Sequence, residues 1–400
     1  MNVGVPSETA DGESRVALTP PTAESLIDDG HEVYVAAGAG EAADWSDEQY
    51  EAAGCTVVAD RDDVFEAADV VFQVQALGAT DAECDPYREG QVVIGLLGPY
   101  DVEEETLAEL ADRNVSAFAL ELMPRISRAQ SMDALSSQAS VGGYKASLMA
   151  AEELPKMFPM EMTAAGTIQP AEVFVIGAGV AGLKAITTAE RLGASVRAYD
   201  IRLEVKQEVE SLGADFVELD LETDGSGDDE GYAREMDEEF YAAQREELNR
   251  VVPESDVVIT TAAIPGAPAP ELVTEEMVAQ MDSGSVIVDL AAETGGNCEP
   301  TVAGETVTYE GVTIFGHTNL PATVSHTASD QFANNVTNFL ENLLTDGDLD
   351  FDFEDEVIDS TLLTHDGTVR APHRDDEDGT DASEDADTED GTKSEADDDA

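Results

Sequence analysis

Glu172-Val-Phe-Val-Ile-Gly-Ala-Gly-Val-Ala-Gly-Leu-Lys-Ala-Ile186 sets the pattern G-x-G-x-x-G directly after an apolar, β-branched run and at the head of an Ala-rich helical stretch. In such a strand–turn–helix, Gly177 permits the tight turn, Gly179 lets the backbone approach a pyrophosphate, and Gly182 lets the helix pack on the strand. The pattern alone is a weak signal. Here a second apolar run over 195–199 ends on Asp200, 23 residues after Gly177. A carboxylate there accepts from both ribose hydroxyls and repels a 2′-phosphate. The segment is therefore read as binding NAD(H). Val180 and Ala181 in the first helical turn, and Ile201 and Arg202 beyond the acid, complete the adenine-side set. A flavin dinucleotide and a ligand-free glycine turn are the alternatives, and Arg202 is the one residue that favours NADP.

Outward from this motif the chain repeats one rhythm. Strands over 173–176, 195–199, 215–218, 257–260, 286–289 and 312–315 alternate with helical stretches. An earlier series has strands over 2–5, 32–36, 56–58, 70–74 and 91–97 with helices over 21–29, 46–53 and 103–113. Strands alternating with helices predict βαβ units, hence an α/β chain with two doubly wound, Rossmann-like domains on parallel sheets. The boundaries read as 1–135 for the first domain, completed by a helix over 331–344, and 136–330 for the second, with a helix over 137–156 as connector. Beyond 345 the sequence is acidic and loses its period, so 345–400 is expected to be a mostly disordered tail.

Charge is the other dominant feature. The chain carries 19 Lys and Arg, only five of them Lys, against 88 Asp and Glu, a formal net charge of −69. Setting aside 371–400, with 14 acidic and two basic residues, leaves 17 basic against 74 acidic, or −57. Such a surface excludes binding to bare nucleic acid or an anionic membrane, and it fits a halophilic protein, since molar salt shortens the Debye length to about 3 Å. Cys55, Cys84 and Cys298 are odd in number and widely spaced, and the histidines show no ligand spacing, so neither a disulfide framework nor a metal site is expected. No stretch approaches 18 apolar residues, so no direct membrane insertion is expected.

With these residues in hand, the chain resembles the family that joins alanine dehydrogenases to the NAD(H)-binding component of proton-translocating NAD(P) transhydrogenase, over about residues 1–344. Both branches look like Val3-Gly-Val-Pro-Ser-Glu8 followed by Arg15-Val-Ala-Leu-Thr-Pro20, and share part of Pro124-Arg-Ile-Ser-Arg-Ala-Gln-Ser-Met-Asp133 and Ser136-Ser-Gln138. Met162-Thr-Ala-Ala-Gly-Thr167 and Thr260-Thr-Ala-Ala-Ile-Pro-Gly-Ala-Pro-Ala-Pro270 look like the transhydrogenase branch. An alanine dehydrogenase needs a Lys and an acid–base His after the strands at 70–74 and 91–97. This chain has Gln75-Ala-Leu-Gly78 and Leu96-Leu-Gly-Pro99 there.

The resemblance implies that Arg125, Gln130 and Asp133 lie against the nicotinamide, where an NADP(H)-carrying component docks. Ser127, Ser131, Met132 and Ser136 contribute to the same cofactor site. It implies further that Gly231-Tyr-Ala-Arg-Glu-Met236 belongs to a mobile loop whose Tyr232 closes over bound nucleotide. Hydride would pass directly from NADH here to NADP⁺ on a partner, in a homodimer attached from the cytoplasmic side to membrane and NADP(H)-binding subunits. An amino-acid dehydrogenase and a non-catalytic NAD-binding module are the rival readings.

Overall fold

Short β-branched runs buried on both faces are what a parallel sheet requires, because crossover helices cover it on each side. A computed structural model describes residues 1–80, 86–219 and 238–370. Its first half runs β1 (Asn2–Val5), α1 (Pro20–Asp28), β2 (Glu32–Ala36), α2 (Asp47–Ala52), β3 (Thr56–Val58), α3 (Arg61–Ala67), β4 (Val70–Gln75), β5 (Val92–Leu96), α4 (Glu104–Asp112) and β6 (Ser116–Ala119). The strands pair in parallel in the order β3-β2-β1-β4-β5-β6. This is the doubly wound arrangement, with its switch point between β1 and β4. Neither α3 nor β6 is among the elements expected from sequence. The capping box of Asp60 and Asp63 is the local signal for α3, whereas Ser-Ala-Phe-Ala is too short and Ala-rich to read as a strand until burial on both faces makes it one.

Helix α5 (Ala134–Glu153) leads away from this sheet and a small hairpin follows, β7 (Glu161–Thr163) with β8 (Gly166–Ile168). The second series is β9 (Glu172–Ile176), α6 (Val180–Leu192), β10 (Ser195–Tyr199), α7 (Lys206–Ser211), β11 (Asp215–Phe216), α8 (Glu238–Leu248), β12 (Val257–Thr260), α9 (Glu275–Val278), β13 (Val286–Asp289), β14 (Thr306–Tyr309) and β15 (Val312–Phe315). The sheet order is β11-β10-β9-β12-β13-β15-β14, the same winding with its switch point between β9 and β12. Only β14 pairs antiparallel, at the edge.

Two of the contacts between α5 and α6 fix their relative direction. The Ser147 hydroxyl donates to the Ala185 carbonyl at 2.9 Å, and a Cβ added at Gly143 would lie 2.0 Å from the Ala181 oxygen. Residue numbers rise together along the two helices at these contacts, so α5 and α6 run parallel, backbone against backbone.

The long helix α10 (Ser325–Asn342) returns to the first sheet, burying Phe332, Val336, Phe339 and Leu340 among Val3, Val33, Phe72 and Phe118. The expectation of a mostly disordered segment after residue 345 is corrected for 345–370. That stretch forms β16 (Leu344–Thr345), β17 (Asp348–Leu349), α11 (Glu356–Thr361), β18 (Leu362–His365) and β19 (Thr368–Val369). Strand β18 adds antiparallel to β6, extending the first sheet. The acidic residues that suggested disorder occupy outward positions, while Val357, Ile358, Leu362 and Leu363 are at most 1% exposed. Net charge measures the wet face only, and a short amphipathic helix plus one strand has too few residues to show a period. Residues 371–400 lie outside the described residues.

If β18 belongs to the core, Leu363→Ala should lower the unfolding free energy by about 2–5 kcal/mol in chemical denaturation at fixed high salt. A change under about 0.5 kcal/mol is what a surface tail would give.

Candidate functional site

In a doubly wound sheet the ligand crevice opens beyond the carboxyl ends of the strands at the switch point. There β9 delivers Ile176 into Gly177, whose φ of +97° suits glycine alone. A Cβ on Gly177 would lie 2.5 Å from the Thr261 hydroxyl across the switch point, and one on Gly182 would lie 1.8 Å from the Gly177 carbonyl. Gly179 differs from both, because no described atom lies within 4 Å of its would-be Cβ. Two glycines thus close the loop on itself and the third faces open space. The first turn of the 13-residue α6, with half-buried Ala181 and more exposed Val180, carries neither a capping side chain nor an acidic residue among the described residues. Uncapped N–H groups at the positive end of a helix dipole make a seat for a diphosphate, which is the fit a dinucleotide needs.

Asp200 stands at the end of β10, buried, and braces this loop. One oxygen accepts the Ala178 N–H at 2.7 Å, and the other accepts the Arg202 N–H at 2.8 Å. The Arg202 guanidinium folds back onto the same carboxylate, with Nε at 2.9 Å and Nη2 at 2.8 Å. Arg202 is therefore paired with Asp200, and Ile201 between them is half-buried.

Because α5 runs parallel to α6 and Gly143 meets Ala181, the first turns of α5 project beyond the N-terminal end of α6. At 1.5 Å per residue, Asp133 stands about 15 Å beyond Gly143 along the helix. The segment 124–133 at this end is held at several points. Asp133 is the N-cap of α5, accepting the Ser136 N–H at 2.8 Å and its hydroxyl at 2.5 Å. The Ser131 carbonyl accepts from Asn335 and Asn338 of α10, and Arg128 pairs with Asp355. Met132 is buried in the first core, so its side chain anchors the segment. Arg125, Ser127 and Gln130 remain exposed at the surface of the segment. Gly231 and Tyr232 lie outside the described residues.

The crevice of the first sheet is occupied by its own side chains. Arg15 is buried and each of its nitrogens is engaged: Nε and Nη2 on Glu13 at 2.8 and 2.6 Å, and Nη1 on Gln138 of α5 at 2.9 Å. Asn319 donates to the same Glu13 carboxylate, tying in the segment that precedes α10. Burial alone would raise the Glu13 carboxyl, but hydrogen bonds and charge from Arg15 hold it below its usual range. Glu8 has the opposite outcome: burial pushes it up to about 8, even though it accepts the Val74 and Gln75 N–H groups. Glu121, on the Gly98 N–H, is likewise raised by burial to about 7. The loops after β4 and β5 touch, with a Cβ on Gly98 only 2.2 Å from the Gly78 carbonyl carbon.

Sequence reading passes over Gly143, and over Asp289 and Asn297, of which Asn297 accepts the Ala262 N–H next to Thr261 and is itself held by Asp289 at the end of β13. Paired glycines are the available signals, Gly142-Gly143 inside a helix and Gly295-Gly296 after a strand.

Two family models match the chain, "Alanine dehydrogenase/PNT, N-terminal domain" over residues 4–142 and "Alanine dehydrogenase/PNT, C-terminal domain" over 146–372. The chain is 44% identical over 378 residues to the NAD(P) transhydrogenase subunit alpha of Cereibacter sphaeroides, covering 93% of this chain and 71% of that one. A solved transhydrogenase from Sinorhizobium meliloti superposes with a TM-score of 0.82 at 42% identity, over 92% of this chain and all of that one. A solved L-alanine dehydrogenase superposes with a TM-score of 0.75 at 25% identity, over 93% and 97%. With both halves matched in order and the two sheets wound alike, this chain belongs to the alanine dehydrogenase/PNT family.

Proposed function

We propose that this chain is the NAD(H)-binding alpha subunit of a proton-translocating transhydrogenase. It would hold NAD(H) at residues 177–182 and present the nicotinamide to an NADP(H)-binding partner for direct hydride transfer. The observation that carries this over an amino-acid dehydrogenase is Arg15. A 2-oxo acid needs a cation for its carboxylate and an acid–base group for its proton. Here the guanidinium is spent on Glu13 and Gln138, and the groups beside it in the crevice are the carboxyls of Glu8 and Glu13. Hydride exchange between two nicotinamides needs position and no proton relay.

In this reading Gly177, Gly179, Val180, Ala181 and Gly182 seat the pyrophosphate and Asp200 takes the ribose. A 2′-phosphate would meet that carboxylate, and its pairing with Arg202 supports NAD over NADP. Arg125 and Gln130 orient the nicotinamide from the exposed side of a segment that Asp133 and Ser136 cap, with Ser127 and Ser131 alongside and Tyr232 as a lid. Residues 1–135 with the returning helix form one domain and 136–330 the other. Among the described residues no helix is long and apolar enough to cross a membrane. Membrane attachment is then the work of partner subunits on the cytoplasmic side, the chain itself being a homodimer. The charge of −69 is halophilic adaptation.

Purified chain mixed in molar salt with an NADP(H)-binding transhydrogenase component should catalyse reduction of an NAD analogue by NADPH. No transfer at any ratio refutes the reading, and ammonia-dependent oxidation of NADH with pyruvate by the chain alone would favour the dehydrogenase. Gln130→Ala should slow hydride transfer about 10-fold or more while the Kd for NADH moves less than about threefold, by stopped flow and titration. An equal loss in both would make Gln130 a binding group.

The raised Glu8 carboxyl gives a pH test of the crevice. Its neutral form is favoured by folding, so its contribution to stability is full below the ordinary value of 4.5 and is lost as pH rises through about 8. Glu8→Gln mimics the neutral form and should gain stability relative to the native chain between pH 5 and 9, read by denaturant midpoints. A difference that stays flat over that range would mean a cation serves Glu8.

A further inference from the structure

Beyond β12 the chain crosses the mouth of the crevice as the segment 261–270, which touches both halves of the molecule. At one end the Thr261 hydroxyl donates to the Gly177 carbonyl at 3.1 Å, against the glycine loop. In the middle Gly266, at φ +71°, lies under the ring of Tyr100, which follows β5 of the first sheet. A Cβ on Gly266 would be 3.0 Å from that ring. The segment has three prolines, at 265, 268 and 270, and no strand or helix to hold it.

Backbone bonds fix it at two points, Thr261 N–H to the Ile176 carbonyl at 2.8 Å and Ala269 N–H to the Thr294 carbonyl at 2.9 Å, and one buried side chain ties its two ends to each other. Asn297 is fully buried, and its amide nitrogen donates to the carbonyls of Ala262 and Pro270, both at 2.8 Å. Its amide oxygen accepts the Ala262 N–H at 2.9 Å. The side chain therefore clamps the two ends of the segment together, using both of its amide donors and its amide oxygen. Asn297 is set in turn by Asp289 at the end of β13. That buried carboxylate accepts the N–H groups of Asn297 and Cys298 at 2.9 and 3.0 Å and the hydroxyls of Thr260 and Thr301 at 2.9 and 2.8 Å. Gly296 is needed beside it, because a Cβ there would lie 2.7 Å from the carboxylate.

We infer that Asn297 is a positioning residue for hydride transfer: by clamping the ends of 262–270 it fixes the wall that spans from the glycine loop to Tyr100, and with it the width of the crevice between the two sheets. Buried amides that satisfy backbone groups on an irregular segment hold it in one conformation, since releasing them leaves carbonyls unpaired. Displacing reacting groups by about 1 Å costs about 100-fold in rate. The inference rests on the hydride-transfer reading above.

The test uses full-length chain with an NADP(H)-binding transhydrogenase component, reading the single-turnover rate of hydride transfer and, separately, the Kd for NADH. Asn297→Asp keeps the shape and removes both donated hydrogen bonds. The expected result is a rate lower by about 10- to 100-fold with a Kd within about threefold of the native value and an unchanged far-UV spectrum. A rate within twofold of native overturns the inference, as does a Kd weakened in step with the rate. If Asn297→Asp does not fold, Asn297→Ser, which keeps one donor, is judged by the same two readouts. Failure of both to fold overturns it, because Asn297 would then serve stability alone. Native chain is run in parallel: no transfer from it defeats the functional reading and this role with it, whereas native transfer with an unimpaired variant defeats only the role of Asn297.

Discussion

The approach of α5 to α6 at Gly143 is the constraint from which the rest of the site follows. A helix backbone comes this close to a neighbouring carbonyl only where the facing residue has no side chain, and Gly143 against the Ala181 carbonyl provides that. Because the helices run parallel, the segment 124–133 is carried beyond the N-terminal end of α6, into which the glycine loop leads. Arg15 reads this arrangement from the first sheet through Gln138 of the same helix. The helix is thus both the link between the two halves and the ruler between the two ends of the crevice.

Buried polar groups do the remaining alignment. Glu13 with Arg15, Asp200 with Arg202, and Asp289 with Asn297 each hold irregular chain that no ladder of strands could hold. In each case the acidic partner is surrounded by donors, which is the condition for keeping a charge away from water. Glu8 and Glu121 accept backbone N–H groups, and burial outweighs these donors and, for Glu8, the nearby charge of Arg15, so both hold their protons more tightly. Such groups specify one geometry, because every alternative leaves a buried donor or acceptor unpaired.

The surplus of acid does not interfere with packing because it is sorted by face. The central strands of the two sheets are built mainly on Val, Ile, Phe and Ala, and the charged residues lie largely on the outer turns of helices and in loops. The region 345–370 shows how far this sorting goes. It is rich in acidic residues, yet Val357, Ile358, Leu362 and Leu363 add a layer to the first sheet.

By itself the sequence determined what short-range chemistry can encode. The glycine spacing after Ile176, the acid at Asp200 and the alternation of strands with helices announce two doubly wound sheets and a dinucleotide cradle, because each depends on neighbours within one βαβ unit. Long-range decisions were out of its reach. That Met132 faces a core, that Asp133 caps α5, that Arg15 is spent on Glu13 and Gln138, and that Asn297 clamps a segment well upstream of it depend on partners brought together only by folding. Residue type states which hydrogen bonds a side chain can make; tertiary structure alone decides which of them it makes, since burial removes water as the competing partner.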